Sequence, residues 1–413
     1  MKLLNAESLA QAREKLAAVA EKIPVRREVI SRREALGRIA GRDIAAAENI
    51  PSFRRSAVDG YGVKWQETVG ASEGIPVFFQ LREAVAMGKS AACVLKTGEC
   101  SYVPTGGMVP EGADAVVMTE YCEVFGPEEV AVYRPCAPGE NVVRIGEDIS
   151  VGEILIKRGT RIRSQEIGAL AALGLETVEV VQPWRVAVIS TGDELTDSFS
   201  EPDAPLLPGK IRDINTDLLE AVCLETGFAV TAKRVIPDDP ELLEAAIREA
   251  LPENDVVIVS GGSSKGDRDY TRQAIETATG NPVLVHGIAM KPGKPTILAW
   301  DEKNRTVAAG LPGHPAAAAM VFRLLIADLY RKRTGQAAEK AVTAVLTENV
   351  AAAPGRTTCV FVELEEGENG YRAIPVYGKS GTITLLTRAW GYGLLNREEE
   401  GRKAGDRIRI FPL

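Results

Sequence analysis

The chain has 413 residues, 45% of them hydrophobic, and a formal net charge of −8 with acids and bases interspersed. That length exceeds one ordinary core and implies roughly two to four domains, and the acidic balance lacks the basic stripe of a nucleic-acid surface. No run approaches the roughly 18 apolar residues that span a bilayer, and six scattered cysteines without a Cys-x-x-Cys pair argue against a zinc site or a disulfide framework.

The start, Met1 to Glu7, lacks the long apolar core of a signal peptide, so a cytoplasmic protein is expected. Residues 6 to 22 place Leu9, Ala12, Leu16, Val19 and Ala20 at helical spacing, and the charged, Ala/Leu-patterned stretch 27 to 41 predicts a second helix. From about Ile50 to Asp148 the texture is β-rich, with runs such as Cys100–Pro104 and Ala115–Met118 broken by Gly and Pro. A helix is predicted over Gln165–Leu173, with Ser164 as a cap and Gly174 as its end.

After Trp184, apolar strands alternate with helical stretches. Strands are expected at Val186–Ile189, Val230–Val235 and Val256–Val259. Helices are expected near Thr216–Thr226, Pro240–Leu251 and Tyr270–Thr279, followed by a long one from Pro315 to about Thr334. Short strands return at Val342–Glu348, Cys359–Leu364, Tyr371–Pro375 and Arg407–Phe411. The class is α/β plus β: a central α/β domain with a mostly parallel sheet over 184–334, a β-rich inserted module over 49–148 and a small C-terminal β domain over 338–413. Residues 1–48 with 149–183 form a discontinuous linker domain.

Chemistry gathers in loops. Thr191-Gly192-Asp193-Glu194 and Ser260-Gly261-Gly262 each follow a buried strand, and in parallel sheets ligands bind at such carboxyl ends. Neither matches a Walker A loop or a dinucleotide fingerprint. Lys291-Pro292-Gly293-Lys294-Pro295 and Gly310-Leu311-Pro312-Gly313-His314-Pro315 complete an anion pocket: glycine permits close backbone approach, lysine brings charge, and a helix starting at Pro315 presents free N–H groups. Alone, the two lysines also read as a solvated pair, and His314 reads first as a helix cap or packing group. Asp193, Glu194, Asp267 and Asp269 would repel a bare anion, so the expected ligand is phosphorylated and magnesium-bound.

Together, Ser56–Tyr61, Thr105–Glu120, Gly146–Ile149, Ser190–Leu195, Asp238-Asp239, Ser260–Gly262 with Asp269-Tyr270, Met290–Pro295 and Gly310–Pro315 resemble, in order and over nearly the whole chain, the molybdopterin molybdenumtransferase family of bacterial MoeA and the gephyrin E domain. The resemblance implies insertion of molybdenum from molybdate into adenylylated molybdopterin with release of AMP, assisted by Mg2+, with tungstate as an alternative oxyanion substrate. It implies four domains and a homodimer whose site combines Asp59, Thr105 and Asp148 of one subunit with Glu194, Asp239, Asp269, Lys291 and Lys294 of the other. Glu194 and Asp269 are the implied metal ligands. Thr191, Gly192, Ser260, Gly261, Gly262 and Pro295 are implied in substrate binding, and Arg356 and Ser380 are weaker matches facing the oxyanion. A molybdopterin adenylyltransferase and molybdoenzymes or their chaperones are the implied partners.

Three positions depart from the family pattern: Gly287 stands where a lysine is frequent, His314 replaces an asparagine and Ala317 a serine. Each changes an anion contact and implies altered affinity or metal preference. Two alternatives stay open: a molybdopterin adenylyltransferase-like enzyme, against which the flanking β domains count, and a non-catalytic molybdopterin-binding scaffold.

Overall fold

The computed structural model describes residues 6–196, 206–261, 268–368 and 370–413; of Arg268 and Asp269 it describes the backbone alone. Met1–Arg42, Arg158–Arg163 and Thr177–Leu413 form one compact unit, and Asp43–Lys157 with Ser164–Glu176 form another.

The first unit is built on a six-stranded sheet in the order Ala229–Ile236, Arg185–Thr191, Val256–Gly261, Thr306–Leu311, Ile297–Asp301, Val285–His286. The first four strands are parallel, and the last two each run antiparallel to the preceding neighbour. Continuous apolar runs are what such strands require, because both faces are covered. Val186, Val188, Val256 and Ile258 face one core with Leu16, Leu219 and Phe322. Their alternates Ile189, Val257 and Val259 face another, with Leu243, Ile247 and Ile275. The predicted long helix is helical from Pro315 to Arg333, with a π-helical stretch at Phe322–Ala327.

The expected second helix over 27–41 is not formed. Arg27–Ser31 is a strand, antiparallel to Thr177–Val181, followed by a single 3₁₀ turn at Arg32–Glu34. β-Branched Val29 and Ile30 and the waiting partner strand outweigh local helical preference. The hairpin Ile297–Asp301/Thr306–Leu311 was not expected either; its small Ala299, Ala308, Ala309 and Gly310 give little β signal.

At the C-terminal end, Thr357–Gly367, Gly370–Pro375, Val342–Leu346, Arg407–Pro412 and Gly391–Leu395 pair in that order, and the last closes back on the first. The resulting five-stranded ring packs Val360, Val362, Leu395, Ile408 and Ile410 inside. Met290–Lys291, from the α/β region, joins it as an outer strand parallel to Thr357 and Thr358.

The second unit holds a six-stranded sheet ordered Ala115–Met118, Gly60–Val63, Glu99–Val103, Val77–Ala84, Glu129–Val132, Cys122–Val124, with Val63, Phe79, Cys100 and Val130 in its core. The helix Ser164–Ala172 belongs to this unit. All six cysteines are free. Among the described residues no helix is long and apolar enough to cross a membrane.

Trp184 leads an aromatic cluster in the first unit, 5.2 Å from Tyr330 and 6.4 Å from Phe228 between ring centroids; Phe228 in turn stands 5.3 Å from Phe322. Trp184 is 1% exposed. Truncation to Ala should therefore lower this unit's stability by about 3–5 kcal/mol, read as a fall in its urea midpoint.

Candidate functional site

Two strand ends make the first part of the site. Thr191 and Gly261 are register partners on adjacent parallel strands. Gly261 adopts φ 120, and a Cβ there would lie 2.1 Å from the Thr191 carbonyl oxygen, so only glycine allows this approach. Thr191 Oγ1 donates to Asp238 Oδ1 at 2.7 Å, and the Tyr270 hydroxyl donates to the same oxygen at 2.9 Å. Asp193 Oδ1 accepts the Asp238 N–H at 3.0 Å. Burial, then the Asp238 carboxylate, pushes the Tyr270 hydroxyl up to about 12, so it remains a donor. Glu194 is exposed, and its carboxylate lies so close to Gly192 that a Cβ there would stand 2.9 Å from Oε2.

Asp239, the predicted site acid, stands at a helix N-terminus. It caps the helix Pro240–Ala250, its Oδ1 accepting the Glu241 and Leu242 N–H groups at 2.8 and 3.0 Å. The acid that faces Thr191 and Tyr270 is its neighbour Asp238. The Asp-Pro sequence carried the signal, because a residue ahead of a proline in the first helical turn is the capping position.

Ser260 is buried beside these groups. Asn215 Nδ2 donates to Ser260 Oγ at 2.9 Å and to the Gly313 carbonyl at 2.7 Å, and Ser260 Oγ reaches the Pro312 carbonyl at 3.4 Å. Asn215 Oδ1 and Ser190 Oγ are buried without a hydrogen-bond partner among the described residues. Gly262 and the Asp269 side chain lie outside the described residues; the Asp269 backbone is second in the helix Arg268–Thr279, next to Tyr270.

The second part is a cavity of about 850 Å³ between the Lys291–Pro295 loop, the Pro312–His314 turn and the C-terminal ring. The parallel pairing of Met290–Lys291 with Thr357 and Thr358 brings the two predicted lysines to Arg356. Lys291, Lys294, Arg356 and Lys379 line the cavity with Ser380 and His314, and among the described residues no carboxylate does. None of the four cations forms an ion pair among the described residues. Pro295 and the buried Ala317 complete the wall. Lys379 was not predicted from sequence; it follows Gly370–Pro375, which pairs with Thr357–Gly367, and it precedes Ser380, which is bonded to His314 and Ala316. The Cys359 thiol, pushed up to about 12 by burial, stays neutral in the same wall.

His314 stands at the N-cap position of the Pro315 helix, yet its side chain makes no bond to the helix. Instead Nδ1 lies 2.8 Å from Ser380 Oγ. Gly287 has φ 92, a conformation disfavoured for any side chain, so a lysine at this position would be strained.

In the second unit, Asp59 Oδ1 accepts both the Thr105 N–H at 2.7 Å and its hydroxyl at 3.1 Å, which brings these two exposed candidates together. Asp148 is exposed on the turn after Gly146, its amide bonded to the Ile50 carbonyl. Among the described residues no group of three or more His, Cys, Asp or Glu is arranged to hold a metal ion.

Three family models match in succession: the MoeA N-terminal region (domain I and II) over residues 7–174, the probable molybdopterin binding domain over 187–332, and the MoeA C-terminal region (domain IV) over 343–413. The molybdopterin molybdenumtransferase of Bacillus subtilis is 31% identical over 93% of this chain and 89% of its own. A putative molybdopterin biosynthesis protein of Methanocaldococcus jannaschii is 34% identical over 92% of this chain and 90% of its own. The chain belongs to the molybdopterin molybdenumtransferase family. A crystal structure of a molybdopterin biosynthesis MoeA protein from Pyrococcus horikoshii superposes with a TM-score of 0.81 at 33% identity, covering 99% of each chain. The match to the molybdopterin binding domain spans both strand ends and the Lys291–Pro295 loop, whereas Arg356, Lys379 and Ser380 come from the stretch matching domain IV.

Because Asp239 is committed to its helix, Asp239→Ala should lower stability by about 1 kcal/mol, measured as a shift in denaturant midpoint.

Proposed function

We propose that this chain inserts molybdenum from molybdate into adenylylated molybdopterin, releasing AMP and giving molybdenum cofactor. The observation that carries the reading is the cavity whose four cations, among the described residues, have no ion-pair partner and no carboxylate beside them in the lining. Such a lining suits a small dianion with oxygens on all sides and rejects a metal cation. Tungstate, of nearly the same size and charge, is expected to compete for it. The relatives in Bacillus subtilis and Haemophilus influenzae are named molybdopterin molybdenumtransferase, in agreement with this chemistry.

Asp193, Glu194 and Asp238 are not arranged as a metal cluster among the described residues, and what supports magnesium at the strand-end locus is donor chemistry alone, since carboxylate oxygens are the hard donors this ion takes. In this reading Glu194 and Asp269 hold it, and when bound it neutralises phosphoryl charge. The remaining work falls to the chain itself. Gly192 and Gly261 let a phosphate approach backbone N–H groups, and Asp238 fixes Thr191 and Tyr270 beside them. Lys291, Lys294 and Arg356 hold the oxyanion by charge-assisted hydrogen bonds. Asp59 orients Thr105.

The proposal includes a cytoplasmic homodimer with Asp59, Thr105 and Asp148 acting in a site shared between subunits. It takes substrate from a molybdopterin adenylyltransferase and passes product to molybdoenzymes or their chaperones. Mixing Asp59→Ala with Glu194→Ala chains should then restore activity in heterodimers, and an active monomer in sedimentation would refute the shared site.

Glu194→Ala and Asp238→Ala should each reduce magnesium-dependent AMP release by about 10²–10³ while the fold persists, because both acids sit outside regular strands and helices. Lys291→Ala should weaken molybdate binding in calorimetry more than binding of the adenylylated pterin, and the difference should shrink as salt rises. Equal molybdate affinity in wild type and Lys291→Ala would move the oxyanion out of this cavity.

A further inference from the structure

We infer that His314 is a positioning residue for the oxyanion, holding the Ser380 hydroxyl through its Nδ1 so that the serine's hydrogen points at the bound anion. The inference rests on the reading of the cavity as the oxyanion site.

The geometry fixes Ser380 from two sides. Its Oγ lies 2.8 Å from His314 Nδ1, and its carbonyl accepts the Ala316 N–H at 3.2 Å, so both anchors come from the turn that opens the Pro315 helix. On one side the exposed ring lies against Gly381, where a Cβ would stand 3.3 Å from Cδ2 and 3.5 Å from Nε2. The residue after Ser380 is thus one whose lack of a side chain leaves room for the imidazole.

A serine hydroxyl carries one hydrogen and two lone pairs. If Nδ1 were bare, Ser380 would spend that hydrogen on the ring and turn a lone pair toward the anion, which repels it. With the hydrogen on Nδ1, the imidazole donates to Oγ and the serine hydrogen is free for the oxyanion. Only the second arrangement suits a cavity lined by Lys291, Lys294, Arg356 and Lys379, so the structure assigns the Nδ1–H form. The same bond pins the Lys379–Ser380 segment of the C-terminal ring to the α/β region, so one contact sets both a hydroxyl and a cation.

This account makes a stereochemical demand. Asparagine carries its amide nitrogen on Cγ, the same atom that bears Nδ1 in histidine, whereas glutamine places its amide one bond farther out. His314→Asn should therefore keep most of the affinity, and His314→Gln and His314→Ala should lose it.

The test is calorimetric titration of sodium molybdate into full-length wild type, the three His314 variants, Ser380→Ala and the His314→Ala/Ser380→Ala double variant, each with its thermal midpoint. The expected result is about tenfold weaker binding for Ser380→Ala, His314→Ala and His314→Gln, the scale of a lost hydrogen bond to a charged group, with His314→Asn within a few-fold of wild type. Because His314 acts through Ser380, the double variant should bind no more weakly than Ser380→Ala alone. Wild-type affinity in His314→Ala, equal affinities in His314→Asn and His314→Gln, or additive losses in the double variant would each overturn the proposal. Unchanged affinity in both Ser380→Ala and Lys291→Ala has a different meaning, since it removes the oxyanion from the cavity altogether.

Discussion

The arrangement of the anion cavity depends on one short ladder, the parallel pairing of Met290–Lys291 with Thr357 and Thr358. Those two residues leave the α/β region and become an outer strand of the C-terminal ring. Backbone hydrogen bonds, rather than side-chain charge, therefore set where Lys291 and Arg356 stand. This matters because the four cations repel one another: unit charges about 4 Å apart interact with about 1 kcal/mol in water and with more where solvent is partly excluded. A cluster of that kind cannot assemble itself. It is held by the ladder and by the Ser380 contacts with the Pro315 turn, and in the proposed function a bound dianion would relieve it.

The same turn joins the two parts of the site. On one side the Pro312 and Gly313 carbonyls accept hydrogen bonds from Ser260 and Asn215, next to the strand ends. On the other, His314 and Ala316 hold Ser380. The four cavity cations are thereby kept apart from the strand-end carboxylates, where Lys210 donates to the Asp193 carbonyl rather than to a carboxylate. The separation has a physical reason. Lysines beside Asp193, Glu194 and Asp238 would form ion pairs and be lost to an oxyanion, and carboxylates in the cavity would repel it.

How much of this could be read from the residues varied with the range of the forces involved. Val186–Ile189 and Val256–Val259 announce buried parallel strands by composition alone, and their glycine ends identify the ligand edge of the sheet. Arg27–Ser31 was misread as helix because its strand character depends on Thr177–Val181, far along the chain. Of Asp238 and Asp239, the second directly precedes Pro240, a local signal of the capping position it occupies. Lys379 gave no signal of any kind. Its charge becomes meaningful only once Gly370–Pro375 pairs with Thr357–Gly367 and the following Ser380 meets His314, contacts between residues far apart in the chain.

The three departures from the family pattern take on a different weight in this setting. Gly287 occupies a left-handed bend in which its amide bonds the Thr296 carbonyl, so the position now serves the course of the chain rather than the charge of the pocket. Ala317 is buried in the wall and offers a methyl group where a hydroxyl would offer a donor. Against these losses stand Lys379, a fourth cation, and His314, whose ring nitrogen meets the Ser380 hydroxyl. A binding site of this kind tolerates exchange among its donors because the oxyanion presents oxygens in every direction. What it does not tolerate is a carboxylate, and among the described residues none lines the cavity.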